Sequence, residues 1–175
     1  MAAAVILDAS CVPDGLADSK TLSRKKREAA AEDIFAVAHV GIGRATVAEI
    51  DGLNIRVATG LAMARAAAAL PVRPAFALID GNWVPPDLPC EGRAIVRGDG
   101  ISASIAAASI VAKVTRDAEM VALSQQYPGY GWETNAGYGV PAHAAGLSKL
   151  GVTPHHRRSF KPIHNILCQQ NSLTS

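Results

Sequence analysis

Ala75-Phe76-Ala77-Leu78-Ile79-Asp80-Gly81-Asn82 is the stretch whose reading decides the fold. An apolar run leads straight into a carboxylate and then a glycine. Short continuous apolar runs bounded by turn signals read as strands buried on both faces. Pro74 opens this one, and Gly81-Asn82 with Pro85-Pro86 closes it. Asp80 therefore stands where a buried strand leaves the core, the position at which α/β sheets gather ligands and metals. An Asp before Gly also opens turns for purely local reasons, so this stretch alone leaves both roles open.

Outward from it, the N-terminal side reads as a strand over Ala2–Leu7, a loop carrying Asp18-Ser19-Lys20-Thr21-Leu22-Ser23, and a helix capped by Ser23 that runs to about Ala38. The inner face of that helix is expected to use Ala30, Ile34, Val37 and Ala38. Its first turn, Arg24-Lys25-Lys26-Arg27, opposes the helix dipole. It reads equally as a phosphate-holding turn or as a solvated basic one. His39–Ala45 reads as a strand. Its Gly-Ile-Gly lacks the third glycine of a dinucleotide fingerprint. Thr46 and Glu49 form a capping box ahead of a helical region that breaks near Gly52 and resumes to Leu70.

On the C-terminal side a strand is expected over Arg93–Arg97, then a long helix capped by Ser102 or Ser104 and ending near Gln126. A Gly- and aromatic-rich loop follows, then a helix from Pro141 to Leu150 stopped by Gly151. The tail from Cys168 is polar and expected to fray. Its last residues, Gln169 to Ser175, offer no hydrophobic anchor pair. The order of strands and helices gives an α/β fold with a mixed sheet. The expected organisation is a core over residues 1–126 and a C-terminal loop–helix extension over 127–175.

The 175 residues suit one domain with a small appendage, with 49% hydrophobic and 18% charged residues. A net charge of +2 does not by itself indicate nucleic acid, but two basic clusters do point to a partner with localised negative charge. They are Arg24–Arg27 and His155-His156-Arg157-Arg158 with Lys161. Cys11, Cys90 and Cys168 show no metal-ligand spacing and suit a reducing cytosol. The apolar start is too short for a membrane span and has no basic leader, so a soluble cytoplasmic protein is expected.

In the long helix, Ile110, Val114, Asp117 and Val121 fall on one stripe. An acid on an apolar face needs a metal, a cation or several donors. Asp80 and Asp117, with no His or Cys ligands beside them, suit oxygen-preferring Mg²⁺ or Mn²⁺ and phosphoryl chemistry. A Lys113–Asp117 ion pair explains the second acid without a metal, and both readings stand at this level.

These motifs, with Gly98-Asp99, Ala107-Ala108-Ser109-Ile110-Val111-Ala112-Lys113-Val114-Thr115-Arg116-Asp117, Gly137-Tyr138 and His155-His156-Arg157-Arg158-Ser159-Phe160, resemble bacterial ribonuclease HII over nearly the whole chain and in order. The resemblance implies a ribonuclease H-like mixed sheet with flanking helices plus a small C-terminal helical extension. It implies a Mn²⁺- or Mg²⁺-dependent endonuclease acting as a monomer, away from membranes, on RNA–DNA hybrids and on duplex DNA containing single ribonucleotides, which it nicks on the 5′ side. Asp80 and Asp117 become metal-binding catalytic carboxylates. Tyr138 stacks on the sugar at the RNA–DNA junction. Ser19 and Lys20 contact the nucleic acid near the scissile phosphate, and Arg157 and Arg158 support a basic surface.

Two departures accompany the resemblance. Gly139-Val140 replaces the usual Pro-Thr, so a looser loop is expected there. The family's first strand, with an Asp-Glu pair and a Gly-Arg-Gly that reads the 2′-hydroxyl, has no counterpart in these residues. That strand is central in the family and supplies two of its four active-site carboxylates. Five buried apolar side chains at about 2 kcal/mol each are worth about 10 kcal/mol, comparable to the stability of a domain. The expectation is that Met1 is an internal methionine and that activity needs the upstream strand. The alternatives are a non-catalytic nucleic-acid-binding relative and another two-metal nuclease or phosphotransferase on the same fold.

Overall fold

A computed structural model describes residues 1–173 of the chain; Thr174 and Ser175, the end of the tail expected to fray, lie outside the described residues. In chain order the elements are β1 (Ala2–Ile6), α1 (Arg24–Val37), β2 (His39–Gly43), α2 (Val47–Leu53), α3 (Ile55–Ala68), β3 (Phe76–Asp80), β4 (Glu91–Ile95), α4 (Ala103–Gln126), α5 (Trp132–Asn135), α6 (Pro141–Leu150) and α7 (Lys161–Leu173). A 3-10 turn, Gly98–Gly100, lies between β4 and α4. The fold is mixed α/β. β1 pairs antiparallel with β2, and β3 pairs parallel with β4 in a separate two-stranded sheet. The chain forms two compact units, Met1–Ala45 with Arg56–Thr115, and Thr46–Ile55 with Arg116–Ser175.

In the first unit α1 begins at its Ser23 cap, whose hydroxyl accepts the Lys26 N–H. Ala30, Ala31 and Ile34 of α1 pack with Ala107, Ile110 and Val111 of α4, and Ala3, Val5, Val40 and Ile42 close the cluster from β1 and β2. Val37, expected on the inner face, is exposed, and Ala31 takes the buried place. The stripe of α1 is therefore turned by about one residue. Gly41 and Gly43 of β2 owe their identity to close packing: a Cβ at either would run into the α3 backbone, at Ala66 and Ala62 respectively.

β3 departs from the expected strand buried on both faces. Ile79 is buried, whereas Phe76 and Leu78 are 51% and 44% exposed. The alternation has the period of two that one covered and one open face produce. β4 begins at Glu91, earlier than the Arg93 expected, and stops before Arg97, which has the left-handed φ of 57°.

In the second unit Thr46 and Glu49 complete the capping box of α2. The break falls at Asn54, with φ 69°, and not at Gly52, because Asn tolerates the left-handed region. Tyr130, Trp132, Leu147 and Ile163 form a core with Met120, Leu123, Tyr127, Val152, Ile166 and Leu167 around it. Ile163, Ile166 and Leu167 lie at i, i+3, i+4, and this stripe seats α7. The residues from Cys168 to Leu173, expected to fray, continue that helix.

Candidate active site

Asp80 ends β3, as its place in the sequence suggests. Its Oδ1 accepts the Gly98 N–H at 2.9 Å, and the Gly81 N–H bonds Ile95 O at 3.0 Å. Parallel pairing thus carries the end of β4 and the 3-10 turn alongside the carboxylate. One oxygen of Asp80 is fixed by the backbone while the residue stays exposed. An acid held this way is oriented by the backbone.

The Asp18–Leu22 loop belongs to the same unit. The Lys20 N–H bonds Asp18 Oδ1, and Arg27 Nη1 donates to the carbonyls of Ser19 and Leu22 at 2.6 and 2.9 Å. Arg27 is therefore a clamp on the loop, and Arg24 pairs with Glu28 at 2.8 Å. Two of the four cations in the first turn of α1 are thereby occupied within the protein. Ser19 is 3% exposed and its hydroxyl shares a hydrogen bond with Ser109 at 2.9 Å. Lys20 points outward, its ammonium 3.9 Å from Asp99 of the 3-10 turn. Gly98 and Asp99 had no assigned role in the sequence; the structure sets them beside Asp80 and Lys20.

In the second unit, Asp117 is partly buried on α4, with Arg116 Nη1 3.7 Å from its Oδ1. The Arg116 guanidinium also lies over the Tyr138 ring, 5.3 Å from its centroid. Tyr138 is 57% exposed. Its N–H bonds Asn135 O, and Val140 N–H returns to Tyr138 O, so Gly139-Val140 sits in a backbone-tied turn. The Arg158 N–H, the Ser159 N–H and the Ser159 hydroxyl all donate to Asp51 at 2.9, 2.9 and 2.6 Å, and these bonds, the Ser159 hydroxyl first, hold the Asp51 carboxyl below the usual range. Arg157 lies over the Phe160 ring at 5.1 Å.

The basic cluster loses one expected member. His156 is 7% exposed and belongs to the core. Burial, reinforced by His143 and His155, pushes it down to about 4, so it adds no charge to the surface at neutral pH. His155 remains outside, edge-on to Tyr127.

No group of three or more His, Cys, Asp or Glu side chains among the described residues is placed to hold a metal ion. Asp80 nonetheless fits a hard divalent cation in its chemistry: an exposed carboxylate with one oxygen fixed by an amide. An ion that keeps several waters and takes oxygens from a phosphate needs only one or two protein carboxylates. No helix among the described residues is long and apolar enough to cross a membrane.

The family model described as Ribonuclease HII matches residues 2–163. The chain is 58% identical to the ribonuclease HII of Paracoccus denitrificans (strain Pd 1222) over 173 residues, covering 99% of this chain and 82% of that protein. It is 61% identical to the ribonuclease HII of Jannaschia sp. (strain CCS1), covering 95% and 84% respectively. Among solved structures, ribonuclease H2 from Pyrococcus horikoshii OT3 superposes with a TM-score of 0.77 at 22% identity, over 98% of this chain and 92% of that one. The ribonuclease HII of Archaeoglobus fulgidus, solved in complex with PCNA, gives 0.72 at 22% identity over 94% and 87%.

Proposed function

The chain belongs to the ribonuclease HII family, endonucleases of the ribonuclease H type, and from that membership we propose that it hydrolyses RNA in RNA–DNA hybrids and nicks duplex DNA 5′ of single ribonucleotides. The observation that supports this reading most is Asp80: an exposed carboxylate at the end of a strand, oriented through one oxygen by the Gly98 amide. Asp80 and Asp117 are the carboxylates for Mg²⁺ or Mn²⁺, which when bound supplies Lewis-acid stabilisation of phosphate charge. Lys20 meets the phosphates by its outward ammonium, and Ser19 serves through the loop main chain that Arg27 clamps. Tyr138 offers an exposed ring to the sugar at the junction, with Arg116 over it. Arg157 and Arg158 supply phosphate attraction on a turn that Asp51 ties down.

The test uses the purified protein and an end-labelled duplex with one embedded ribonucleotide. The expected product is a single nick on the 5′ side of that nucleotide in Mn²⁺ or Mg²⁺. Asp80→Asn should lower the rate by a factor of about 100 or more, as loss of a charge-stabilising group does. Normal cutting by Asp80→Asn would remove Asp80 from the site. Equal cutting of an all-DNA duplex would refute the substrate class.

A further inference from the structure

The buried histidines of the second unit carry a proton order that ends on Tyr138. The Thr153 N–H donates to His156 Nδ1 at 3.1 Å, which makes Nδ1 an acceptor and puts the His156 proton on Nε2. The Thr153 hydroxyl, 2.9 Å from the same nitrogen, accepts the His155 N–H and can turn its own hydrogen inward. His156 Nε2 then donates to His143 Nε2 at 3.1 Å. Trp132 Nε1, which can only donate, reaches the same His143 nitrogen at 3.2 Å. With the single Nε2 lone pair shared by these two N–H groups, the His143 proton stands on Nδ1, 3.1 Å from the carbonyl of Tyr138. One assignment thus satisfies the set, and both rings are neutral in it.

We propose that His143, held by His156 and Trp132, is the positioning residue that sets Tyr138 for the RNA–DNA junction. The rings at the centre of the set are buried: Trp132 is 2% exposed and His143 and His156 are each 7% exposed. It terminates on a carbonyl whose own side chain is 57% exposed. The same carbonyl accepts the Val140 N–H at 2.9 Å, so the residue after Gly137 is fixed at both of its lone-pair directions. A purely structural histidine pair would end on another core group. This one transmits the rigidity of the core to the backbone of an outward-facing aromatic. The inference rests on the reading of Tyr138 as the junction-stacking residue.

The measured quantity is junction preference: the affinity for a duplex with one ribonucleotide divided by that for the all-DNA duplex, by fluorescence anisotropy of the purified protein in EDTA. Asn places an amide donor near the position of Nδ1, whereas Gln places its amide near Nε2. His143→Asn should therefore keep junction preference within about two-fold, Tyr138→Ala should lose about ten-fold and His143→Gln about five-fold, on the scale of base or sugar stacking and its alignment. Tyr138→Ala combined with His143→Gln should lose no more than Tyr138→Ala alone, because a residue acting only through Tyr138 has nothing left to position. Full preference in His143→Gln beside a normal Tyr138→Ala loss would overturn the positioning role and leave the Tyr138 reading intact. Unchanged preference in Tyr138→Ala would overturn both. Should the His143 variants not fold, long-range ¹H–¹⁵N NMR of the native rings decides: a protonated Nδ1 on His143 and a protonated Nε2 on His156 are expected, and the opposite tautomer on His143 overturns the proposal.

Discussion

Asp80 Oδ1 and the Gly98 N–H lie 2.9 Å apart, so the amide that orients the β3 carboxylate comes from the turn that follows β4. The relation depends on parallel pairing, which brings the carboxyl ends of both strands to the same edge. The bond and the charge can be separated experimentally. Asn at position 80 retains an oxygen for Gly98, whereas Ala removes it. Asp80→Ala should therefore cost about 1 kcal/mol more than Asp80→Asn in urea unfolding, the net worth of one such bond, while both lose activity. Equal stability of the two variants would show that the Gly98 contact does not orient the side chain.

Arg27 should act on the Asp18–Leu22 loop and not on phosphate directly. Its Nη1 reaches the Ser19 and Leu22 carbonyls. Charged hydrogen bonds of this kind are worth about 2 kcal/mol, so Arg27→Ala should lower the unfolding free energy by about that much. Hydrogen exchange should accelerate first at the amides of Lys20 and Thr21. Unchanged protection of those amides would return Arg27 to the solvated basic turn.

Much of this was legible from the sequence where the signal is local. Ser23, the Thr46/Glu49 box, Pro141 and Gly151 set helix limits through bonds within a few residues, and the structure places those limits as expected. What escaped was set by packing across the chain. Gly41 and Gly43 are required by close packing on α3, and nothing local announces a helix backbone at that distance. Phe76 and Leu78 are as apolar as Ile79, so composition alone could not tell the open face of β3 from the covered one. His155 and His156 are neighbours of one residue type with opposite fates. Only the position of Thr153, Trp132 and His143 separates the buried ring from the exposed one. Of the proposed site residues, the position of Asp80 was readable from a strand end and that of Asp117 from a helical stripe, while the contacts of Gly98, Asp99 and Arg27 required the fold.

Gly43→Ala should be among the most damaging single substitutions in the first unit. Its Cβ would collide with the Ala62 carbonyl and the Ala66 amide nitrogen of α3, both backbone atoms, where no flexible side chain can yield. Forcing the helix off the strand should cost about 3 kcal/mol, the upper range of overpacking. Gly52→Ala, with nothing within 4 Å of the added methyl, serves as the control and should be close to neutral or stabilising. The comparison is made by urea unfolding; a small loss for Gly43→Ala would mean that α3 does not sit against β2.

The buried histidine pair predicts a specific acid sensitivity. His156 is pushed down to about 4 from an ordinary 6.5 by burial first and then by His143, with His155 adding to it and the Thr153 amide opposing. The groups facing it are His143, His155, Thr153 and the rings of Tyr130 and Trp132. Between these two values the unfolded chain holds a proton on this ring that the folded chain does not. Stability therefore rises with pH through this window, and it falls as pH drops from about 6.5 toward 4. The cost should reach the order of 2 kcal/mol, taken below the full shift because solvent screens part of it. His156→Gln should flatten this part of the profile even where it lowers stability overall. Urea midpoints between pH 7 and pH 4.5, followed by Trp132 emission, measure it. An equal slope in native protein and His156→Gln would assign the acid sensitivity to other groups. At neutral pH His156 stays uncharged, which is the state that its place in the donor order from Thr153 to the Tyr138 carbonyl requires.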